Sequence, residues 1–204
     1  PSAYLRADVR RRPATIGFLS RLAPSEGFDR FVEAFIVLRR DPRFAGVRLS
    51  ATGGPCADRR FFKRQLARLA AAGLGEDVTV SPERFAGDRA GFLSELTLLS
   101  VPGGGTPEAF GYYALEAMAA GVPVVLPEQG AFPEIAAAAG CGTLLRDTRP
   151  EAFAQAWAEL LTDPDHLRDE SVRGRAAAAG PFSRAASAAA LERELAGLAG
   201  SRSP

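Results

Sequence analysis

Glu108-Ala-Phe-Gly-Tyr-Tyr-Ala-Leu-Glu116 carries two carboxylates eight positions apart, at the start and in the third turn of a segment that reads as a helix. Just before it come Leu98-Leu99-Ser100-Val101, a buried-strand run, and three glycines, Gly103 to Gly105. Just after it, Ala117-Met-Ala-Ala-Gly121 closes the helix and Val122-Pro123-Val124-Val125 opens another strand. This order puts both carboxylates at the mouth of a strand–loop–helix unit, where open α/β sheets bind ligands. A carboxylate only accepts hydrogen bonds and can take two neighbouring hydroxyls at once. The free N–H groups of a helix N-terminus favour anions. The combination suits a molecule bearing both vicinal hydroxyls and phosphate, as a nucleotide-sugar does.

The same alternation extends in both directions. Short, continuous apolar runs predict strands at 14–19, 47–51, 78–80, 96–101, 122–126 and 141–145. Runs of this kind belong to a parallel sheet covered on both faces. Phe28, Phe31, Val32, Phe35 and Leu38 recur at helical spacing, as do Phe61, Phe62, Leu66 and Leu69 ahead of Gly73. Ala152, Phe153, Ala156, Trp157 and Leu160 repeat the pattern, which makes Trp157 a core residue rather than a stacking platform. The fold class is therefore α/β, a doubly wound parallel sheet of Rossmann-like type. It ends in extra helices, predicted at 151–161, 164–179 and 183–198 and very rich in alanine. Residues 1–13 read as a linker, 14–199 as one domain and 200–204 as a tail.

Composition excludes several function classes. A chain of 204 residues with 47% hydrophobic and 24% charged residues is an ordinary globular protein with a full core. A net charge of +1 gives no reason to expect nucleic acid as a partner, and Arg6, Arg10, Arg11 and Arg12 read as a solvated leader. Two cysteines, Cys56 and Cys141, make neither a disulfide framework nor a metal site, which fits a reducing, cytoplasmic location. Both read as small core or near-core residues. His166 is the only histidine, so no histidine triad can form. No membrane-span run and no signal peptide occur. The chain opens on Pro1, as a processed or excised piece would.

Rival motifs fail on position. A dinucleotide fingerprint belongs in the first strand-to-helix turn. That turn is Ser20-Arg21-Leu22-Ala23-Pro24-Ser25-Glu26-Gly27, with one glycine. No Walker lysine pattern exists. Asp163-Pro164-Asp165 has the look of a metal-binding acidic motif but is better explained as a helix cap with proline in the first turn.

The long string from Pro107 to Val125 resembles the C-terminal, donor-binding half of retaining glycosyltransferases of the GT-B fold, the group that includes sucrose and glycogen synthases. The resemblance runs from Ile16 to Leu161 and also covers Gly17-Phe-Leu-Ser-Arg21-Leu-Ala-Pro, Thr52-Gly53-Gly54-Pro55 and Gly130-Ala-Phe-Pro-Glu134-Ile135. It implies that Glu108 faces the donor sugar and Glu116 binds the ribose hydroxyls. Ala109, Phe110 and Gly111 would offer backbone N–H groups to sugar and diphosphate. Arg21 would neutralise the departing diphosphate, so Arg21 and Glu108 are the catalytic candidates. Base contacts would come from Ser81-Pro82-Glu83-Arg84, with Arg84 as donor-binding candidate. The donor would be UDP- or GDP-linked, with neither metal nor further cofactor.

One position departs from the family pattern. Where members carry a lysine as second diphosphate cation, this chain has Glu26, and its only lysine, Lys63, lies in the second helix. Glu26 and Arg30, four apart, would pair on a helix surface and leave Arg30 to replace part of the lost charge. The resemblance also implies a separate N-terminal acceptor-binding domain, without which the chain transfers nothing and through which any peripheral membrane association would run. Two other readings stay open: a non-catalytic binding or scaffolding relative, which Glu26 supports, and an epimerase or phosphorylase on the same fold.

Overall fold

The computed structural model describes residues 13–54 and 58–200. Cys56, most of the expected linker and the tail beyond Gly200 lie outside the described residues. All six expected strands form: β1 (Thr15–Leu19), β2 (Arg48–Thr52), β3 (Val78–Val80), β4 (Leu98–Ser100), β5 (Val124–Pro127) and β6 (Thr143–Leu145). They make one parallel sheet in the order β3-β2-β1-β4-β5-β6, flanked by helices. The register is tightest between β1 and β2, where Thr15 to Leu19 pair one-to-one with Arg48 to Thr52.

The helices are α1 (Phe28–Leu38), α2 (Arg59–Ala71), α3 (Arg84–Gly87), α4 (Arg89–Ser94), α5 (Tyr112–Ala120), α6 (Phe132–Ala139), α7 (Pro150–Thr162), α8 (Pro164–Ala179) and α9 (Arg184–Gly200). The apolar stripe of α1 buries Phe28, Phe31 and Phe35 completely. Phe31 meets the equally buried Trp157 of α7 edge-on at 5.3 Å, a geometry the ring quadrupoles favour. Trp157 is thus the core residue its spacing predicted. Cys141 is buried too, and burial pushes its thiol up to about 11. Asp163 accepts from His166 N at 2.9 Å and caps α8, as expected of an Asp-Pro pair. Leu191 and Leu195 of α9 stay more than half exposed.

Two expectations need correction. The helix predicted from Glu108 begins at Tyr112. Gly111, at φ 62°, sits in the left-handed region and cannot continue an α-helix backwards. The carbonyl of Glu108 instead accepts from Ala131 N at 2.9 Å, tying its loop to the one after β5. Arg84, expected on a loop, is the first residue of α3, and Asp88 breaks the chain there by capping α4 through Gly91 N at 2.9 Å.

Gly130 makes the contact under Glu108 possible. Its φ is +59°, and a Cβ there would lie 2.2 Å from the Glu108 carbonyl oxygen. Gly130→Ala is expected to destabilise the fold by more than about 1 kcal/mol, since both the backbone angle and the space are wrong for alanine. Urea denaturation checks this, and an unchanged midpoint would mean the loops are not so joined.

Candidate functional site

The strand order reverses between β1 and β4, and the loops leaving their C-terminal ends meet there. Gly103 N donates to the Glu26 carbonyl at 3.2 Å. The approach is so close that a Cβ on Gly104 would sit 2.0 Å from the Pro24 carbonyl oxygen. These two loops and the start of α5 form the rim of the crevice.

On the β1 side, Glu26 lies in a short turn (Pro24–Glu26) before α1, and its side chain is 15% exposed. Its carboxylate accepts from Arg21 Nε at 3.0 Å and lies 2.5 Å from an Arg21 Nη. Ser20 Oγ at 3.1 Å and Ser25 Oγ at 3.2 Å donate to it as well. The expected Glu26–Arg30 pair does not form. The helix starts only at Phe28, so the two residues never share a helical face. Arg30 instead donates to the Gly103 carbonyl at 3.0 Å and reaches Thr148 Oγ1 at 3.4 Å.

On the β4 side, Glu108 is half-buried in the loop and its Oε1 accepts from Phe110 N at 3.2 Å. Phe110 N, expected to face a ligand, is therefore engaged by Glu108. Ala109 and Phe110 are exposed and Gly111 is buried at the N-cap of α5. No side chain caps that helix end, so its first N–H groups have no side-chain acceptor. The rings of Phe110 and Tyr112 stack at 5.5 Å, both 64% exposed. Tyr113 points the other way: burial first, then the negative charges of Glu108 and Glu26, push its phenol well above the usual range. Both carboxylates therefore lie near enough to act on one phenol.

Deeper along α5, Glu116 lies against Arg89, with an Arg89 Nη 2.5 Å from Glu116 Oε2. Half-burial raises the Glu116 carboxyl above the ordinary range, and Arg89 opposes that rise. The Arg89 guanidinium rests 5.1 Å from the centre of the Phe85 ring. A Cβ at Gly54 would stand 3.7 Å from Phe85 and 4.0 Å from the Arg21 side chain. Arg21, Gly54, Phe85, Arg89 and Glu116 thus follow one another along a single arc. Arg84 is not on it. Glu95, at 2.9 Å, and Asp88, at 3.2 Å, hold Arg84, and its guanidinium lies over Phe92. Sequence reasoning missed Arg89 and Tyr113, because neither spacing nor motif marks them; the packing of α4 on α5 brings Arg89 to Glu116, and burial beside Phe132 sets Tyr113. Among the described residues, no group of three or more His, Cys, Asp or Glu is placed to hold a metal ion. Among them too, no helix is long and apolar enough to cross a membrane.

Comparison with known proteins gives one consistent picture. The family described as Glycosyl transferases group 1 matches residues 13–163. D-inositol 3-phosphate glycosyltransferase of Segniliparus rotundus is 32% identical over 194 residues, 93% of this chain and 41% of the relative. The protein of that name from Nocardia farcinica is 33% identical over 182 residues, 87% of this chain and 40% of its own length. The chain therefore spans about two fifths of the length of these curated relatives. Among solved structures, the C-terminal domain of a group 1 family glycosyl transferase (LpcC) from Francisella tularensis superposes with a TM-score of 0.75 at 21% identity, over 90% of this chain and 97% of that one. Anabaena HepE in complex with UDP superposes with a TM-score of 0.79 at 19% identity, over 98% of this chain and 55% of that one. The six-stranded parallel fold is that of a GT-B C-terminal domain.

Proposed function

Because the chain belongs to the group 1 glycosyl transferases, we propose that it is the donor-binding half of a retaining glycosyltransferase, which moves a sugar from a nucleoside diphosphate to an acceptor hydroxyl. The observation that supports this reading is the meeting of two loops at the β1/β4 crevice: the one after β1 carries Arg21, the one after β4 carries Glu108 and leads into the uncapped start of α5, and Glu116 lies further along that helix. Glu116 takes the ribose hydroxyls. The α5 N-terminus and Arg21 take the diphosphate. Glu108 exchanges the Phe110 amide for a hydroxyl of the donor sugar. When the bond between the anomeric carbon and the phosphate oxygen breaks, negative charge collects on the leaving diphosphate. Fixed N–H dipoles and a guanidinium already in place there stabilise that charge more than they stabilise the bound donor. No metal or organic cofactor is assigned in this reading. HepE, a structural neighbour, is known in complex with UDP, and UDP- or GDP-sugars are the donors to try first. D-inositol 3-phosphate, for which the matched relatives are named, is the first acceptor to try.

Calorimetric titration with uridine, guanosine and adenosine diphosphates and their sugars tests this. Glu116→Gln is expected to weaken binding by about 1–3 kcal/mol, because a charged acceptor becomes a neutral amide. The apolar face of α5 is untouched, so the fold persists. Equal wild-type affinity for ribose and deoxyribose nucleotides would remove the role from Glu116. The Arg21–Glu26 pair favours a second reading, a non-catalytic binding or scaffolding relative, because it places a negative charge against the arginine proposed for the diphosphate. No detectable nucleotide binding in the same titration would favour that reading.

A further inference from the structure

Arg89 is the first residue of α4 and the only side chain named in the arc that contacts the carboxylate assigned to ribose. Its guanidinium is braced on one side by the Phe85 ring and meets Glu116 on the other. Both side chains are largely withdrawn from water, 32% exposed for Arg89 and 29% for Glu116. The two groups are close but not aligned as a hydrogen bond. Arg89 Nε and Glu116 Oε2 are shut off from solvent without an aligned partner. A surface ion pair so placed would be worth little, but a half-buried carboxylate depends on its counterion to remain charged.

We infer that Arg89 is a positioning residue for the diol-accepting carboxylate: braced on Phe85, it keeps Glu116 ionised in its half-buried place and so sets the preference for ribose. The inference rests on the reading of Glu116 as ribose acceptor. An ionised carboxylate accepts at both oxygens, and its hydrogen bonds are about twice as strong as neutral ones. A protonated carboxyl gives up one acceptor and turns a donor toward the diol. Burial drives Glu116 toward the protonated form, and Arg89 opposes this both by charge and by direct contact. Two charged groups of α8, which packs against α5, are engaged elsewhere. Arg175 of α8 reaches the Ala120 carbonyl at 3.3 Å, at the far end of α5. Glu170 of α8 accepts from Gly142 N at 2.6 Å and pairs with Arg173.

Carbon-13 titration of the Glu116 carboxyl, assigned with Glu116→Gln, tests the charge directly and needs no ligand. In Arg89→Leu the midpoint is expected to move up, and in Arg89→Lys to stay close to wild type. Binding supplies the second readout, using whichever of uridine, guanosine or adenosine diphosphate the wild type takes, and its 2′-deoxy counterpart. Wild type is expected to hold its ribose preference further into the acid range than Arg89→Leu does. In Arg89→Leu the preference matches wild type at the alkaline end and falls toward none on acidification, by up to about tenfold per pH unit below the carboxyl's midpoint. Phe85→Leu, which removes only the brace, should shift both readouts less and in the same direction. An unmoved midpoint, or a pH profile parallel to wild type at uniformly lower affinity, would leave Arg89 a structural tie between α4 and α5 and overturn the inference. A moved midpoint with no ribose preference in wild type would instead sink the ribose reading of Glu116.

Discussion

Glu26→Lys is expected to bind nucleoside diphosphate about a hundredfold more tightly than wild type, roughly 3 kcal/mol at an effective dielectric near 20. Two changes act together. A negative charge beside the diphosphate position becomes positive, and Arg21 loses the carboxylate that now lies 2.5 Å from its guanidinium. Glu26→Gln separates them, since it keeps an acceptor for Ser20 and Ser25 while removing the charge. It should gain less than the lysine variant. The gain must shrink as salt rises, because Arg21 is 68% exposed and surface charges are screened within about 10 Å at 0.1 M. Affinity unchanged across wild type, glutamine and lysine variants would mean that no diphosphate comes near Glu26.

The crevice is electrostatically closed on itself. Arg21 is engaged by Glu26, Arg30 by the Gly103 carbonyl and Arg89 by Glu116. In the proposed reading a nucleoside diphosphate therefore competes with carboxylates already in place, and its net affinity is the difference between two similar sets of contacts. The competition is uneven. Glu116 is assigned a hydroxyl partner and can keep Arg89 beside it while it accepts. Glu26 has no such compatible role, since its charge and the diphosphate's compete for the same guanidinium. This asymmetry is why the Glu26 substitutions are expected to raise affinity and the Glu116 substitution to lower it.

Most of the fold was legible because buried parallel strands are continuous apolar runs, whose only ambiguity is at the ends. Strand β4 spans Leu98–Ser100 against an expected 96–101, and β3 matches its expected bounds. Proline and glycine marked the helix limits well, as at Pro164 and at Gly73. The start of α5 was misread because residues on either side of Gly111 suit a helix, whereas the glycine itself adopts φ 62°. The site was legible in the placement of its candidates on elements, as for Arg21 after β1 and Glu116 within α5. It was not legible where the role depends on a partner distant in sequence. The i, i+4 spacing of Glu26 and Arg30 suggested a pair, but Gly27 in the left-handed region separates a turn from the helix. Arg84 and Arg89 look interchangeable in sequence. Capping by Asp88 sends one to Glu95 and the other to Glu116.

The 204-residue chain by itself is expected to bind donor yet transfer no sugar, whereas the same chain joined to an N-terminal acceptor-binding half transfers it. The contrast should be the largest of all, because holding two reactants in register contributes effective molarities of about 10⁵ to 10⁸ M, or roughly 7–11 kcal/mol of the barrier. In the proposed reading Arg21, Glu108, Glu116 and the α5 N-terminus all serve the donor, and none is left to orient an acceptor hydroxyl. The crevice also opens to water on the side of Phe110 and Tyr112, whose rings are each 64% exposed. Charge stabilisation at the leaving diphosphate is weaker in an open, high-dielectric site than in a closed one. Donor consumption is followed as release of nucleoside diphosphate, with and without acceptor. Slow, acceptor-independent release by the chain alone would be hydrolysis and fits the expectation. Acceptor-dependent turnover by the chain alone would refute it, since the described residues would then have to contain an acceptor site that the arc does not include.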